Sequence, residues 1–208
     1  MMTADWDAPH LLLLFAMWIA MMTAMMLPSA SPLLLLYAAA LRARGDAAAG
    51  RKAYAMAAGY LLVWVLFSVA ATAAAASPLH RAHPDSDVGA CIRTGRSGAG
   101  GHRGVYQLTP LKRSCLTVCR SPLSYLVQHW GPGTYAAFRL GARHGTYCLG
   151  CCWALMLLLF AGGVMNLAVI AGLTLWVLIE KVAPFGERTA KISGVALLAV
   201  AAWVFAVY

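Results

Sequence analysis

The sequence predicts an all-α protein, a bundle of transmembrane helices that crosses the bilayer several times. Of its 208 residues, 62% are hydrophobic and 11% are charged, whereas a soluble domain carries about 25% charged residues. Several apolar stretches reach the roughly 17–25 residues that a transmembrane helix needs. The net charge of +9 fits cytoplasmic loops of a membrane protein, which are rich in Lys and Arg. We therefore expect the lipid bilayer as a partner and no nucleic acid, with residues 1–208 forming one integral membrane domain.

Five spans are recognisable in the apolar stretches. The stretches cover residues 10–41, 53–76, 147–179 and 192–208. The first contains Pro28 and Pro32, and proline removes a backbone hydrogen bond and clashes with the preceding turn, so we predict a kinked or broken helix there. The third is too long for one span, and Gly162 and Gly163 divide it into two. No basic residue precedes the first stretch, so no cleaved signal peptide is predicted.

The basic residues predict the orientation and expose one anomaly. They collect before residue 53, between residues 112 and 143, and between residues 181 and 191. All of these loops are cytoplasmic, with both termini periplasmic, only if the chain also crosses the membrane between residues 76 and 112. Residues 80–104 in that interval hold four arginines, each costing about 2.5–3.5 kcal/mol near the bilayer centre. This segment is either a polar loop or the product of compensating frameshifts that replaced an apolar helix.

The stretch "YCLGCCWALM" places four sulfur atoms at helical spacing. Cys148, Cys151, Cys152 and Met156 would share one face of a helix. Thiolates and thioethers are soft ligands that select Cu(I), and thiolates also suit zinc and iron–sulfur clusters. The sequence therefore predicts a soft-metal site on this face, with copper favoured.

A second sulfur pair precedes that stretch. Cys115 and Cys119 in "CLTVC" are four residues apart, and we place them on a short helix or re-entrant turn at the cytoplasmic surface. The start of the "YCLGCC" span lies on the same side, so the two groups are predicted to form one site. His144 is an accessory ligand or a solvated loop histidine. The charges of Glu180 and Lys181 are explained by a local ion pair.

Packing is the alternative explanation of these residues. Small residues such as Cys, Gly and Ala line helix contacts in membranes because they permit close approach. Methionine stripes in the first span, such as Met21 with Met25 and Met22 with Met26, more often pack than bind metal. A disulfide is not expected, because the cytoplasm keeps thiols reduced.

Three blocks resemble a known family. They are "MWIAMMTAMMLPSASP" at residues 17–32, "YQLTPLKRSCLTVCRSPL" at 106–123 and "GTYCLGCCWALMLLLFAGGVMNL" at 145–167. In order and spacing they resemble a bacterial family of predicted metal-binding integral membrane proteins, the domain-of-unknown-function family numbered 2182. The resemblance covers nearly the whole chain except residues 80–104, where the family carries an apolar helix. It implies six spans, an inner-membrane location and metal binding.

The sequence is compatible with three functions. The first is a polytopic inner-membrane protein that binds a soft metal, copper favoured, through the cysteines and methionines. The second is a structural or assembly subunit whose motifs are helix-packing faces. The third, a transporter, is disfavoured because every carboxylate lies in a loop or at a span end, whereas proton-coupled transporters place ionisable groups within the membrane. No nucleotide-binding loop, nucleophile elbow or carboxylate pair is present, so we do not expect an enzyme.

Overall fold

The computed structural model describes residues 8–76, 105–157, 159, 167–183 and 186–207. All regular structure in these ranges is helical, as the sequence predicts. The main helices are α1 (Ala8–Ala43), α2 (Ala49–Ala76), α3 (Pro110–Arg120), α4 (Pro122–His129), α5 (Gly133–Met156), α6 (Leu167–Val182) and α7 (Gly186–Val207). The anomalous segment 80–104 and the glycine pair at 162–163 lie outside the described residues.

Helix α1 runs without interruption through Pro28 and Pro32, so the predicted break is wrong. A proline leaves the carbonyl four residues earlier without its helical donor. For Pro32 that carbonyl belongs to Pro28, and the Ser31 hydroxyl donates to it at 2.8 Å. The Ser29 hydroxyl likewise donates to the carbonyl of Met26 at 2.8 Å. The Ser31 hydroxyl thus replaces the donor that Pro32 lacks, and the helix continues.

Two of the described helices are long and apolar enough to cross a membrane. They are Pro9–Ala43 and Ala49–Ala74, and they match the first two predicted spans. They meet this criterion by length and composition.

Helix α5 begins much earlier than the sequence suggests. The sequence predicts a span that begins at residue 147, with His144 in a preceding loop, yet the helix starts at Gly133, which has φ +88°. The Gly-Pro-Gly element therefore marks only the start of the helix. The next three turns bury Ala137, Leu140 and Gly141, and this packing outweighs the weak helix preference of the glycines.

The packing of α5 against α2 depends on glycine. A Cβ atom on Gly141 would lie 1.8 Å from the carbonyl oxygen of Met56, and one on Gly145 would lie 2.9 Å from Val63 Cγ2. Since Met56 faces Gly141 and Val63 faces Gly145, the two helices run in the same direction. The close approach brings the next turn of α5, which carries the cysteines, against α2 and α1.

Candidate metal centre

The three cysteines of α5 lie in the protein interior. Cys148, Cys151 and Cys152 are each at most 2% exposed, and Met156 is fully buried. The thiols of Cys151 and Cys152 donate to the carbonyl of Cys148 at 3.1 and 2.9 Å, a local arrangement that the helical spacing permits. The predicted sulfur face exists and points into the core.

Helix α3 brings a second thiol to this face. Cys119 Sγ lies 3.9 Å from Cys151 Sγ, so the two predicted sulfur groups do meet. Helix α3 begins at Pro110, and the Thr109 side chain accepts from the backbone N–H of Lys112. Gly150 allows the approach, since a Cβ there would lie 2.9 Å from Cys115 Sγ. Cys115 thus lies beside Gly150 of α5 and packs against the same core cluster as the α5 cysteines.

Helix α1 contributes a thioether. Met26 is fully buried, and its Sδ lies 3.9 Å from Cys152 Sγ. Met22 and Met25 are buried in the same core cluster. Met26, Cys119, Cys151 and Cys152 therefore come from three helices, and we call these four residues the sulfur cluster.

Cys148 has different neighbours. Lys181 Nζ lies 2.8 Å from its Sγ and also donates to Ser29 Oγ at 3.1 Å. The Tyr60 hydroxyl lies 3.1 Å from the same sulfur and donates to the carbonyl of Met26 at 3.0 Å. A lysine from α6 and a tyrosine from α2 thus hold Cys148.

The predicted local ion pair of Glu180 and Lys181 is wrong. Glu180 instead pairs with Lys112 of α3, with 2.9 Å between Oε2 and Nζ, and both side chains are at most 2% exposed. Trp176 Nε1 and Ser193 Oγ donate to the other carboxylate oxygen at 3.2 and 3.0 Å. Glu180 is therefore buried in the core, although it lies near the C-terminal end of α6.

His144 is buried rather than solvated as a loop histidine. It is 4% exposed, and its Nδ1 has no hydrogen-bond partner in the part of the chain that the structure describes. It lines a cavity of about 180 Å³ together with Cys119, Lys181 and Ser29.

The contacts of Lys181 and Tyr60 with Cys148 were not predicted from the sequence. For Lys181 the sequence does hold a signal, because a lysine follows directly on an apolar run there.

The site consists of two close sulfur pairs and does not resemble the oxygen-rich sites that bind hard cations such as Mg²⁺. Within the described ranges, no three His, Cys, Asp or Glu side chains converge on one point. The described cysteines are all free thiols. What the structure brings together is a mixed thiol and thioether set, which is the ligand type that Cu(I) prefers.

Fold and site together define a helical protein whose apolar interior brings together thiol and thioether sulfurs from three helices. The chain belongs to the PpoB2 family, described as copper chaperone, whose profile matches residues 15–204. Copper is thus the metal that the family description names, in agreement with the prediction from the sulfur ligands. This match does not assign the chain to the domain-of-unknown-function family numbered 2182, which the sequence blocks resemble. No curated protein and no solved structure matches the chain significantly.

Proposed function

We propose that this protein is a multi-pass inner-membrane carrier of Cu(I), which holds the ion at the sulfur cluster and passes it to an acceptor protein. Helices α1 and α2 are the first two spans, and both termini are periplasmic. The ion is cargo and keeps its oxidation state, so no catalysed reaction is part of this function. The observation that carries the proposal is the meeting of Cys119 with Cys151 and of Cys152 with Met26.

The distance within each sulfur pair of the cluster suits two ligands of one ion. With a metal–sulfur bond of about 2.3 Å, as in zinc thiolates, the 3.9 Å between Cys119 Sγ and Cys151 Sγ subtends about 116° at the metal. That angle lies between the tetrahedral and trigonal values. The same separation holds for Cys152 Sγ and Met26 Sδ, so either pair can share an ion without a backbone shift.

Charge balance favours Cu(I) in this position. One Cu(I) ion with two thiolates carries a net charge of −1, and burying an uncompensated charge is costly. The Lys181 ammonium lies 2.8 Å from Cys148 Sγ, one helical turn from Cys152. It supplies the compensating positive charge inside the core. Cys148, Cys115 and Met156 remain predicted ligands. Of these three, Cys148 is the one that lies in contact with the Lys181 ammonium.

The test is copper content after anaerobic purification in detergent. We expect the wild-type protein to bind Cu(I) stoichiometrically by plasma mass spectrometry. The Cys151→Ser/Cys152→Ser variant removes one thiol from each pair and should lose at least tenfold in Cu(I) affinity in a chelator competition. Met26→Leu, which conserves volume, should weaken binding less.

The matched control is Met56→Leu, because Met56 is equally buried but belongs to a separate apolar cluster around Tyr37 and Tyr125. It should bind copper as the wild type does. A wild-type protein that stays copper-free after Cu(I) titration would overturn the proposal. Variants that lose stability or partner association with no copper signature would favour the alternative, a structural or assembly subunit with packing cysteines.

A further inference from the structure

The sulfur cluster is closed to solvent on most sides, which raises the question of how copper reaches it. Met26, Cys151 and Cys152 are each at most 2% exposed. Cu(I) moves between thiolates by ligand exchange, so one sulfur must be reachable by an incoming complex. Cys119 is only partly buried, and it touches Cys151.

Cys119 also lines the cavity of about 180 Å³ that lies between α1, the α3–α4 junction and the end of α6. Val182 borders this cavity and is 60% exposed, so the cavity reaches the protein surface. We propose that this cavity is the loading port of the copper site and that Cys119 is the thiol that exchanges copper with an external carrier. This inference rests on the proposed function and adds the route.

The lining indicates which chemical class the port accepts. Lys181 and Arg120 bring positive charge, Ser29 brings a hydroxyl, and His144 is buried with an unpartnered Nδ1 among the described residues. A Cu(I) bis-thiolate complex is anionic and suits this lining. The cavity is smaller than the roughly 300 Å³ of an ordinary small-molecule site, so it admits the thiol-bearing tip of a carrier and not a large chelator.

The exchange step conserves atoms and charge. A bond forms between Cu(I) and Cys119 Sγ while one bond from Cu(I) to a carrier thiolate breaks. The proton of the Cys119 thiol passes to the departing carrier thiolate. The oxidation state of copper does not change. A second exchange follows across the 3.9 Å contact: a bond forms between Cu(I) and Cys151 Sγ while the bond to the remaining carrier thiolate breaks, and the proton of the Cys151 thiol passes to that departing thiolate.

A variant that narrows the port without touching any sulfur tests the idea. Val182→Trp places an indole at the cavity edge, whereas Leu175→Trp places one at a similarly exposed position of α6 (59%) that does not line the cavity. Copper is presented as the Cu(I) complex of a small monothiol in stopped-flow loading experiments. We expect Val182→Trp to load at least tenfold more slowly with unchanged final stoichiometry, and Leu175→Trp to match the wild type.

Thiol labelling of the copper-free protein gives a second readout. We expect a small alkylating reagent to modify Cys119 before the α5 cysteines, and Val182→Trp to slow that modification at least tenfold. Val182→Trp that loads and labels at wild-type rates, in a background where the wild type binds copper, would overturn the port alone. A wild type that binds no Cu(I) overturns the proposed function and the port with it.

Discussion

Gly141→Ala tests whether the close crossing of α2 and α5 positions the copper site. The added Cβ would lie 1.8 Å from the Met56 carbonyl oxygen, and real Cβ contacts essentially never fall under 3.0 Å. The obstructing atom belongs to the backbone and cannot rotate away. The two helices must therefore separate or tilt by at least about 1.2 Å locally, since interiors are close-packed. Cys148 and Tyr60 lie one to two turns further along the same crossing.

The expected free-energy change follows from two opposing effects. Overpacking of a tight interior costs about 1–3 kcal/mol, and the backbone obstruction at Gly141 places this case at the upper end. Replacing glycine by alanine within a helix returns about 0.5–1 kcal/mol. We expect a net loss of about 2 kcal/mol in the free energy of unfolding.

Gly172 provides the matched control. It lies within α6, and a Cβ there would meet nothing within 4 Å in the described structure. Gly172→Ala should therefore be neutral or stabilising by up to about 1 kcal/mol, which leaves a gap of about 3 kcal/mol between the variants. Reversible SDS titration in mixed micelles, followed by tryptophan fluorescence, measures both, since Trp18 and Trp64 are buried in the core.

The copper measurement completes this test. A widened crossing should also shift Cys148 away from Tyr60 and weaken Cu(I) binding in Gly141→Ala but not in Gly172→Ala. Equal stability of the two variants would refute the close crossing. A destabilised Gly141→Ala with unchanged copper affinity would refute the coupling between the crossing and the site.

Two further predictions concern ionic groups. Lys112→Met should destabilise the protein by about 3–5 kcal/mol, because it leaves Glu180 buried without its cation. The double variant Lys112→Met/Glu180→Leu should recover most of that loss. A double variant that is no more stable than the single one in the same titration would contradict the pairing. At the α1–α2 turn, hydrogen bonds from the Lys52 ammonium and the Ala48 N–H hold the pKa of Asp46 below its usual 3.8. The stability contributed by this depressed pKa is present above pH 3.8 and is lost as the pH falls below that value. The Tm difference between the wild type and Asp46→Asn should therefore shrink as the pH falls below 3.8. A Tm difference that stays constant would contradict the role of Asp46.

The helical class and the first two candidate spans are readable from the sequence because they depend on local composition. An apolar run such as residues 10–41 predicts a long helix whatever surrounds it. The effect of Pro28 and Pro32 was not readable in the same way. Whether a proline interrupts a helix depends on which donors reach the freed carbonyls, and here the Ser31 hydroxyl reaches one of them.

The candidate site was partly readable for a similar reason. The four-residue spacing of Cys148 and Cys152 places both on one helix face by geometry alone, and the shared depth of the two cysteine groups predicted their meeting. The residues around Cys148 were not readable. Lys181 comes from α6 and Tyr60 from α2, and no periodicity in either segment points to a partner so distant in sequence.

The partners of Glu180 and Lys181 could not be inferred from their near neighbours in the sequence. Adjacent residues on a helix point in different directions, so they do not face each other. The packing of α6 places Glu180 against Lys112 and Lys181 against Cys148.

The sequence by itself determined the helices, the sulfur spacing and the choice of a soft metal, because each depends on near neighbours. Only the tertiary structure decided which thiols pair, which charge balances them and where a cavity meets Cys119, because those contacts depend on how separate helices pack.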